Sequence, residues 1–357
     1  MVDAPRFAPP TLDRGSQAPG RAAPWGARLW NAGLLALAGA LLALSAAPAV
    51  AQSAAAVREA IRQAAQDDGF GKQVLGLTGF AALPGVNASS FSISNTGASD
   101  VDVGRFAASP SHRFEEVELL GGDLYVEGTL SWFTAETDYG VLFRGTAFEA
   151  TPKNRIDAWT AIGGIGVAYD VAPGFTVTPV ATLGWGMVQD DTEFSGPGAA
   201  RLDRATDDLL FNWDAQEILY GPALRLEYLT ALPGDVNVTA TSRLNWVFGT
   251  TYSASNRVLE GDTSFGVMTL HGELDGPTRH SAFGRELRWI LFGAGTFIGG
   301  EGASALGVDW IAEFGVGMEI VDREAAAGLG VEGLSLRLSV LTGDDIFGWS
   351  VGGGLEF

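Results

Sequence analysis

Three hundred and fifty-seven residues without a single cysteine exclude disulfides and thiolate metal centres. A formal net charge of −20, from 22 Lys+Arg against 42 Asp+Glu, excludes the clustered basic surface that a nucleic-acid partner needs. The 49 Gly, 20 Phe and 10 Trp describe a glycine- and aromatic-rich chain, long enough for one large barrel or two ordinary domains.

The chain opens like a secretory signal. Arg21 and Arg28 precede an apolar run from Leu34 to Leu44, and Ala49-Val50-Ala51 forms an A-x-A cleavage site before Gln52. The run is too short to cross a bilayer as a helix. Residues 1–51 are therefore expected to be cleaved after Ala51, following export through the Sec translocon. No later stretch of about 18 or more apolar residues follows, which leaves a closed β-barrel as the way to span a membrane.

Residues 52–87 read as a short helix and a linker. Ala54 to Gln66 is rich in Ala, Glu, Arg and Gln, and Asp67-Asp68-Gly69 stops it. Residues 70–87 read as glycine-rich and irregular. The lead is either a plug inside the barrel, with Arg58, Glu59 and Arg62 paired to the wall, or a mobile periplasmic segment.

From residue 88 to 357 the period is two. Strands are expected near 88–95, 100–108, 122–137, 157–171, 174–189, 213–231, 235–253, 262–274, 284–298, 304–320, 330–342 and 346–357. The longest alternation runs from Leu306 to Ile320, with Leu306, Val308, Trp310, Ala312, Phe314, Val316, Met318 and Ile320 on one face. In Val236 to Phe248 the apolar set Val236, Val238, Ala240, Leu244, Trp246 and Phe248 opposes Asn237, Thr239, Thr241, Arg243 and Asn245. Tight turns at Ala172-Pro173-Gly174 and Leu232-Pro233-Gly234-Asp235 alternate with a long polar connection, 190–212. The expected fold is all-β: a transmembrane antiparallel up-and-down barrel of about 12 strands with a short N-terminal helix. Its short turns would be periplasmic, both termini would be periplasmic, and 190–212 with Asp344 and Asp345 would be extracellular.

Tryptophan falls close to once per strand, at Trp132, Trp159, Trp185, Trp213, Trp246, Trp289, Trp310 and Trp349. An indole prefers the headgroup level, so these residues are expected to form an aromatic girdle. The chain closes on Trp349, Val351, Gly353, Leu355 and Phe357 on one strand face, the pattern of a terminal strand read by the barrel-assembly machinery.

These residues, together with Leu83-Pro84-Gly85-Val86-Asn87-Ala88-Ser89-Ser90-Phe91-Ser92-Ile93 and the strand Tyr125-Val126-Glu127-Gly128-Thr129-Leu130-Ser131-Trp132, carry a resemblance. The mature chain resembles the solitary outer-membrane autotransporter-like β-barrel family. Gly353 departs from the bulkier residue often found there. The resemblance implies an autotransporter-type barrel of twelve strands with no secreted passenger. It brings no catalytic residue.

Charged positions on the expected lumenal face are Glu127, Arg225, Glu227, Arg243, Glu286, Arg288, Asp309, Glu313, Glu319 and Arg337. A ring of carboxylates would make a cation-preferring pore, whereas charges paired across strands would fill a closed interior. A lipid hydrolase needs a serine within reach of a histidine. The chain has only His112, His271 and His280 and no His-x-Ser, but Thr269, His271 and Glu273 share a strand face that a serine on a neighbouring strand would complete. Asp190, Asp191, Glu193, Asp203, Asp207 and Asp208 lack the spacing of a calcium loop and read as a solvated outer loop, touching lipopolysaccharide through bridging cations. No metal or cofactor is expected. The reading is a non-enzymatic integral outer-membrane barrel: a pore, a plugged channel or a structural surface protein, embedded in lipid and lipopolysaccharide. The alternatives are an outer-membrane lipid hydrolase and a translocator for a separate partner.

Overall fold

A computed structural model describes residues 54–67, 70–81, 87–93, 101–282, 284–300, 308–321, 333–343 and 346–356. The expected signal segment 1–51, the pair Asp344 and Asp345, and Phe357 lie outside the described residues. Two helices lead in, α1 (Ala54–Asp67) and α2 (Phe70–Ala81). The strands are β1 (Asn87–Ile93), β2 (Val101–Ala108), β3 (Ser111–Leu119), β4 (Gly122–Asp138), β5 (Thr151–Ala172), β6 (Phe175–Ser195), β7 (Asp214–Leu232), β8 (Val236–Ala254), β9 (Asp262–Ala282), β10 (Arg285–Gly300), β11 (Trp310–Val321), β12 (Gly333–Gly343) and β13 (Ile346–Glu356). Helix α3 (Ala199–Thr206) lies between β6 and β7, and a 3-10 turn (Arg257–Leu259) between β8 and β9.

All pairings between these strands are antiparallel, β1 pairs with β13, and β2 pairs with β4, so the sheet closes on itself. β2 and β3 occupy one wall position in succession. Val101 to Ala108 face Thr137 to Leu130, and Ser111 to Leu119 face Glu127 to Gly122 along the same strand. Pro110 sits at the break, where it has no N–H for the ladder, and its carbonyl accepts from Gly128 N at 2.9 Å. Twelve strands therefore surround the lumen, the expected number, with β3 as the continuation of β2.

The two faces of the wall divide cleanly. Leu130 and Leu183 (both 65 % exposed), Phe314 (64 %) and Phe347 (72 %) stand on the outer face. Phe133, Phe265 and Leu219, on alternate positions, are buried inside. A continuous exposed band of this kind is what a bilayer covers, and water would not tolerate it. No helix among the described residues is long and apolar enough to cross a membrane. β5, of 22 residues, is about twice the length a tilted crossing strand needs, so it projects beyond the band.

Two expectations need correcting. The alternation from Leu306 is not one strand: β11 starts at Trp310, and Val308 turns inward into the core while Asp309 stays exposed outside the strand. Apolar packing at the barrel end captured the residue that the period assigned to the outer face. Residues 70–81, read as irregular, form α2. Phe70, Val74, Leu75 and Thr78 fall at helical spacing and are all buried. The glycine that argued against a helix permits its packing: a Cβ at Gly71 would lie 2.9 Å from Leu259 Cα.

Candidate functional site

Two ends of the barrel are distinct. Short turns after β3, β5 and β7, with left-handed residues at Leu120, Gly121, Gly174, Gly234 and Asp235, define a turn end. The longer connections 139–150, 196–213 and 255–261 define a loop end.

The loop-end half of the lumen is filled by the lead. Phe70 meets Trp213 edge-on at 6.1 Å, and Val74 and Leu75 belong to one buried cluster with Phe133, Val188, Leu219, Val247, Phe265 and Ile298 from the wall. The hydroxyl of Thr78 is hydrogen-bonded to the carboxylate of Glu217 on β7, and its carbonyl accepts from Thr160 Oγ1 on β5 at 3.0 Å. On β6, between them, a Cβ at Gly186 would stand 3.0 Å from Thr78 Cβ, so the absent side chain makes the seat for this helical turn. α1 lies above, with Ile61 and Ala65 buried and Arg58 donating to the carbonyl of Arg204 in α3 at 3.4 Å. Leu202 and Ala205 of α3, Leu209 to Phe211, and Val258 with Leu259 close over the helices.

The turn-end half is polar, and its charges pair. Arg243 on β8 bridges the lumen to Glu127 on β4, and Arg225 on β7 donates to Tyr125 on β4 at 3.2 Å while pairing with Glu227. Arg288 binds Asp275 at 2.6 Å and Glu286 at 3.1 Å. Arg337 on β12 binds Glu273 on β9 at 2.9 Å. Glu313 accepts from Ser339 and interacts electrostatically with Arg105 on β2. Glu319 is buried, in register with Arg288 and Ser335. Nine of the ten charged residues expected on the lumenal face are thus drawn into this network or its turn-end rim, and the tenth, Asp309, is not.

His271 does face inward beside Glu273, 3.7 Å away. Register places Thr241 and Ala294 next to it, and Phe292 covers it at 5.9 Å. No neighbouring strand brings a serine opposite His271, so the expected route to a triad is missing. His112 and His280 are exposed, in β3 and β9.

Of the tryptophans, Trp159, Trp185, Trp246, Trp310 and Trp349 are exposed on the outer face, and Trp132 and Trp289 alternate with buried inward residues. Trp213 is a correction: it is buried at 2 %, with its indole N–H donating to Leu210 O at 3.0 Å. The lead helix supplies an apolar partner for that ring, so it packs inside the lumen. Trp349 and Val351 pair with Val340 and Leu338, on the outer face; Leu355 shares that register opposite Leu334.

Beyond Trp159 and Trp185 the outer positions of β5 and β6 turn polar, with Asp157, Arg155, Gln189, Asp191 and Glu193. Asp190 lies at this level but faces inward, accepting from Asn154, Asn212 N and Thr192. Burial pushes its carboxyl up to about 7, against the pull of those donors. It is not part of a solvated loop as expected. At the turn end Asp170 is the opposite case, held down to about 2 by Arg113 and Thr176.

α1 meets α3 at the loop end, and β13 runs from the loop end to the turn end.

No protein-family model and no curated protein matches the chain. Its fold is similar to several solved structures. The β domain of the Bordetella autotransporter Brka is 16 % identical with a TM-score of 0.43, over 76 % of this chain and 96 % of that one. The transport unit of the autotransporter AIDA-I from Escherichia coli is 10 % identical with a TM-score of 0.42, over 80 % and 99 %. The translocator domain of autotransporter NalP from Neisseria meningitidis is 12 % identical with a TM-score of 0.38, over 83 % and 97 %. The likeness concerns barrel architecture.

Proposed function

We propose that the chain is a non-enzymatic integral protein of a bacterial outer membrane, a barrel held shut by its own N-terminal helix. The observation that carries this reading is the seat of α2, where Phe70, Val74, Leu75 and Thr78 are buried against the inner wall. Each apolar side chain so placed contributes roughly 1.5–3 kcal/mol. Three of them give about 5–9 kcal/mol, enough to keep the helix in place. The pairing of the lumenal charges supports a closed interior over a free carboxylate ring. Segment 1–51 acts as the signal removed after Ala51, the barrel-assembly machinery inserts the strands, and lipid with lipopolysaccharide surrounds the apolar band. The turn end is periplasmic and the loop end faces outward. Planar-bilayer recording tests the proposal: chain beginning at Gln52 gives no steady conductance, and removal of 52–81 gives discrete channels. Equal conductance from both would overturn it.

A translocator-type reading is favoured by one further observation. The lead starts beside α3 at the loop end and runs down the lumen toward β1, the path of a chain carried outward through its own barrel.

A further inference from the structure

The polar contact between Thr78 and Glu217 joins two groups whose protons can be counted. A threonine hydroxyl has one proton to donate. Thr78 Oγ1 lies 2.8 Å from the carbonyl oxygen of Leu75, one turn back in α2, and it is also hydrogen-bonded to Glu217 Oε1. One proton cannot serve both oxygens. A carbonyl oxygen only accepts, whereas a carboxyl group can donate if it is protonated.

Glu217 has no exposed surface, and its Oε2 has no hydrogen-bond partner among the described residues. Gly249 on β8 leaves the space for that oxygen, since a Cβ there would lie 2.2 Å from it and 2.4 Å from Thr263 Oγ1 of β9. The neighbours in register are Gly186 on β6 and Thr251 on β8. Trp185, one residue before Gly186, stands where the outer face turns polar toward the loop end. No cation faces the carboxyl. Lys72, the one charged side chain of α2, is exposed and lies more than a turn before Thr78. β5 presents Thr160, which is bonded to the Thr78 carbonyl. On β6 the nearest acid, Asp190, is held by Asn154, Thr192 and Asn212 N. Arg257 and Glu260, at the 3-10 turn, are exposed. Only Thr78 and Thr263 act on the Glu217 carboxyl. A bare charge so placed has neither water nor a counter-ion to pay for its burial.

We propose that Glu217 is a proton-operated latch for α2. The seated helix holds the side chain as a carboxylic acid, whose O–H donates to Thr78 Oγ1 while Thr78 donates to the Leu75 carbonyl. When α2 lifts, water reaches the carboxyl and its proton passes to solvent. The carboxylate left behind must regain a proton before the helix can cover it again. An ordinary glutamate in water ionises near about 4.3. Above that pH, and until the seated acid itself ionises, each pH unit favours the lifted state by about tenfold. Acid therefore keeps the barrel shut, and rising pH loosens it. The inference rests on the plugged-barrel reading above and adds its regulation.

Hydrogen exchange across 70–81, corrected for intrinsic rate, tests the latch in the folded chain beginning at Gln52, between pH 5 and pH 8. Asp190→Asn is the background, so that the other buried acid of the loop end does not titrate. Protection in this background is expected to fall by about tenfold or more over the interval. Adding Glu217→Gln removes the fall, because an amide N–H then stands where the acid O–H stood and has no proton to lose in this range. Heat-modified gel mobility confirms that each variant folds, and the background alone decides the matter if the double variant does not. Protection that changes by less than about threefold in the background, or that falls as steeply with Glu217→Gln, overturns the latch alone. A helix that exchanges freely at every pH, in a chain that conducts like one lacking 52–81, overturns the plug reading with it.

Discussion

Thr78 on the lumenal helix is hydrogen-bonded to Glu217 on β7, a carboxylate with no exposed surface. Thr160 and Gly186 on the two preceding strands hold the same helical turn from the side. Thr78→Val leaves the Glu217 carboxylate buried with this partner gone, which costs about 1–3 kcal/mol. That is less than the burial of Phe70, Val74 and Leu75 contributes, so α2 stays seated but opens more often. Hydrogen exchange across 70–81 is expected to quicken by roughly 5- to 150-fold. Exchange at the wild-type rate would show that this bond does not hold the helix.

The pair Arg243 and Glu127 joins β8 to β4 across the lumen, with side chains only 10 % and 12 % exposed. Removing one partner strands the other charge in a site shaped for a pair. Arg243→Met is expected to destabilise the folded barrel by about 3–5 kcal/mol in urea titration, and adding Glu127→Gln to recover a substantial part. A double variant no more stable than Arg243→Met would mean that the pair is not coupled.

The wall was legible in the sequence because a membrane strand keeps the strictest period a chain can have. Val236 to Phe248 alternates as read, and the Pro-Gly turns at 173–174 and 233–234 fall where expected. β3 escaped because Pro110 breaks its ladder and Glu115, Glu116 and Glu118 interrupt any apolar face. The lumen was legible only in its polar half. Arg243 and Glu127 announce an inner face by charge, but their mutual contact spans 116 positions of sequence and follows from closure. α2 was missed because its glycines have a tertiary reason, the near contact of Gly71 with Leu259, that local propensity counts against a helix. Trp213 carries the same lesson: it lies just ahead of β7, and its ring meets Phe70 of α2, a contact that no local pattern announces.

Asp190 makes the loop end sensitive to pH. Its folded carboxyl titrates near 7, above the ordinary 3.8, because burial disfavours the charge. The closed loop end therefore has its full stability below about pH 4 and loses it as pH rises toward 7, since the opened state ionises first. Hydrogen exchange over 199–213, corrected for intrinsic rate, should show less protection at pH 8 than at pH 5, and Asp190→Asn should flatten the difference. Asp170 has the opposite sign. Its stabilisation by Arg113 is present above about pH 4 and fades toward pH 2, and its exposure keeps the effect small.

The absence of cysteine makes the orientation of the lead measurable without background labelling. Gln63 is exposed on α1 at the loop end, and Asp235 is exposed in a turn at the other end. If the loop end faces outward, Gln63→Cys reacts with a membrane-impermeant maleimide on intact cells, whereas Asp235→Cys reacts only after permeabilisation. Gln63→Cys replaces an exposed polar side chain, so a change in stability within about 0.5 kcal/mol is expected. Asp235→Cys puts a residue less tolerant of the left-handed region at φ 57 and should cost about 1 kcal/mol, with the heat-modified mobility of both variants matching wild type. Labelling of Asp235→Cys on intact cells would reverse the assigned orientation. Protection of Gln63→Cys with Asp235→Cys also protected would mean that the lead is drawn inside the barrel before the loops close over it, and would remove the argument for a chain carried outward.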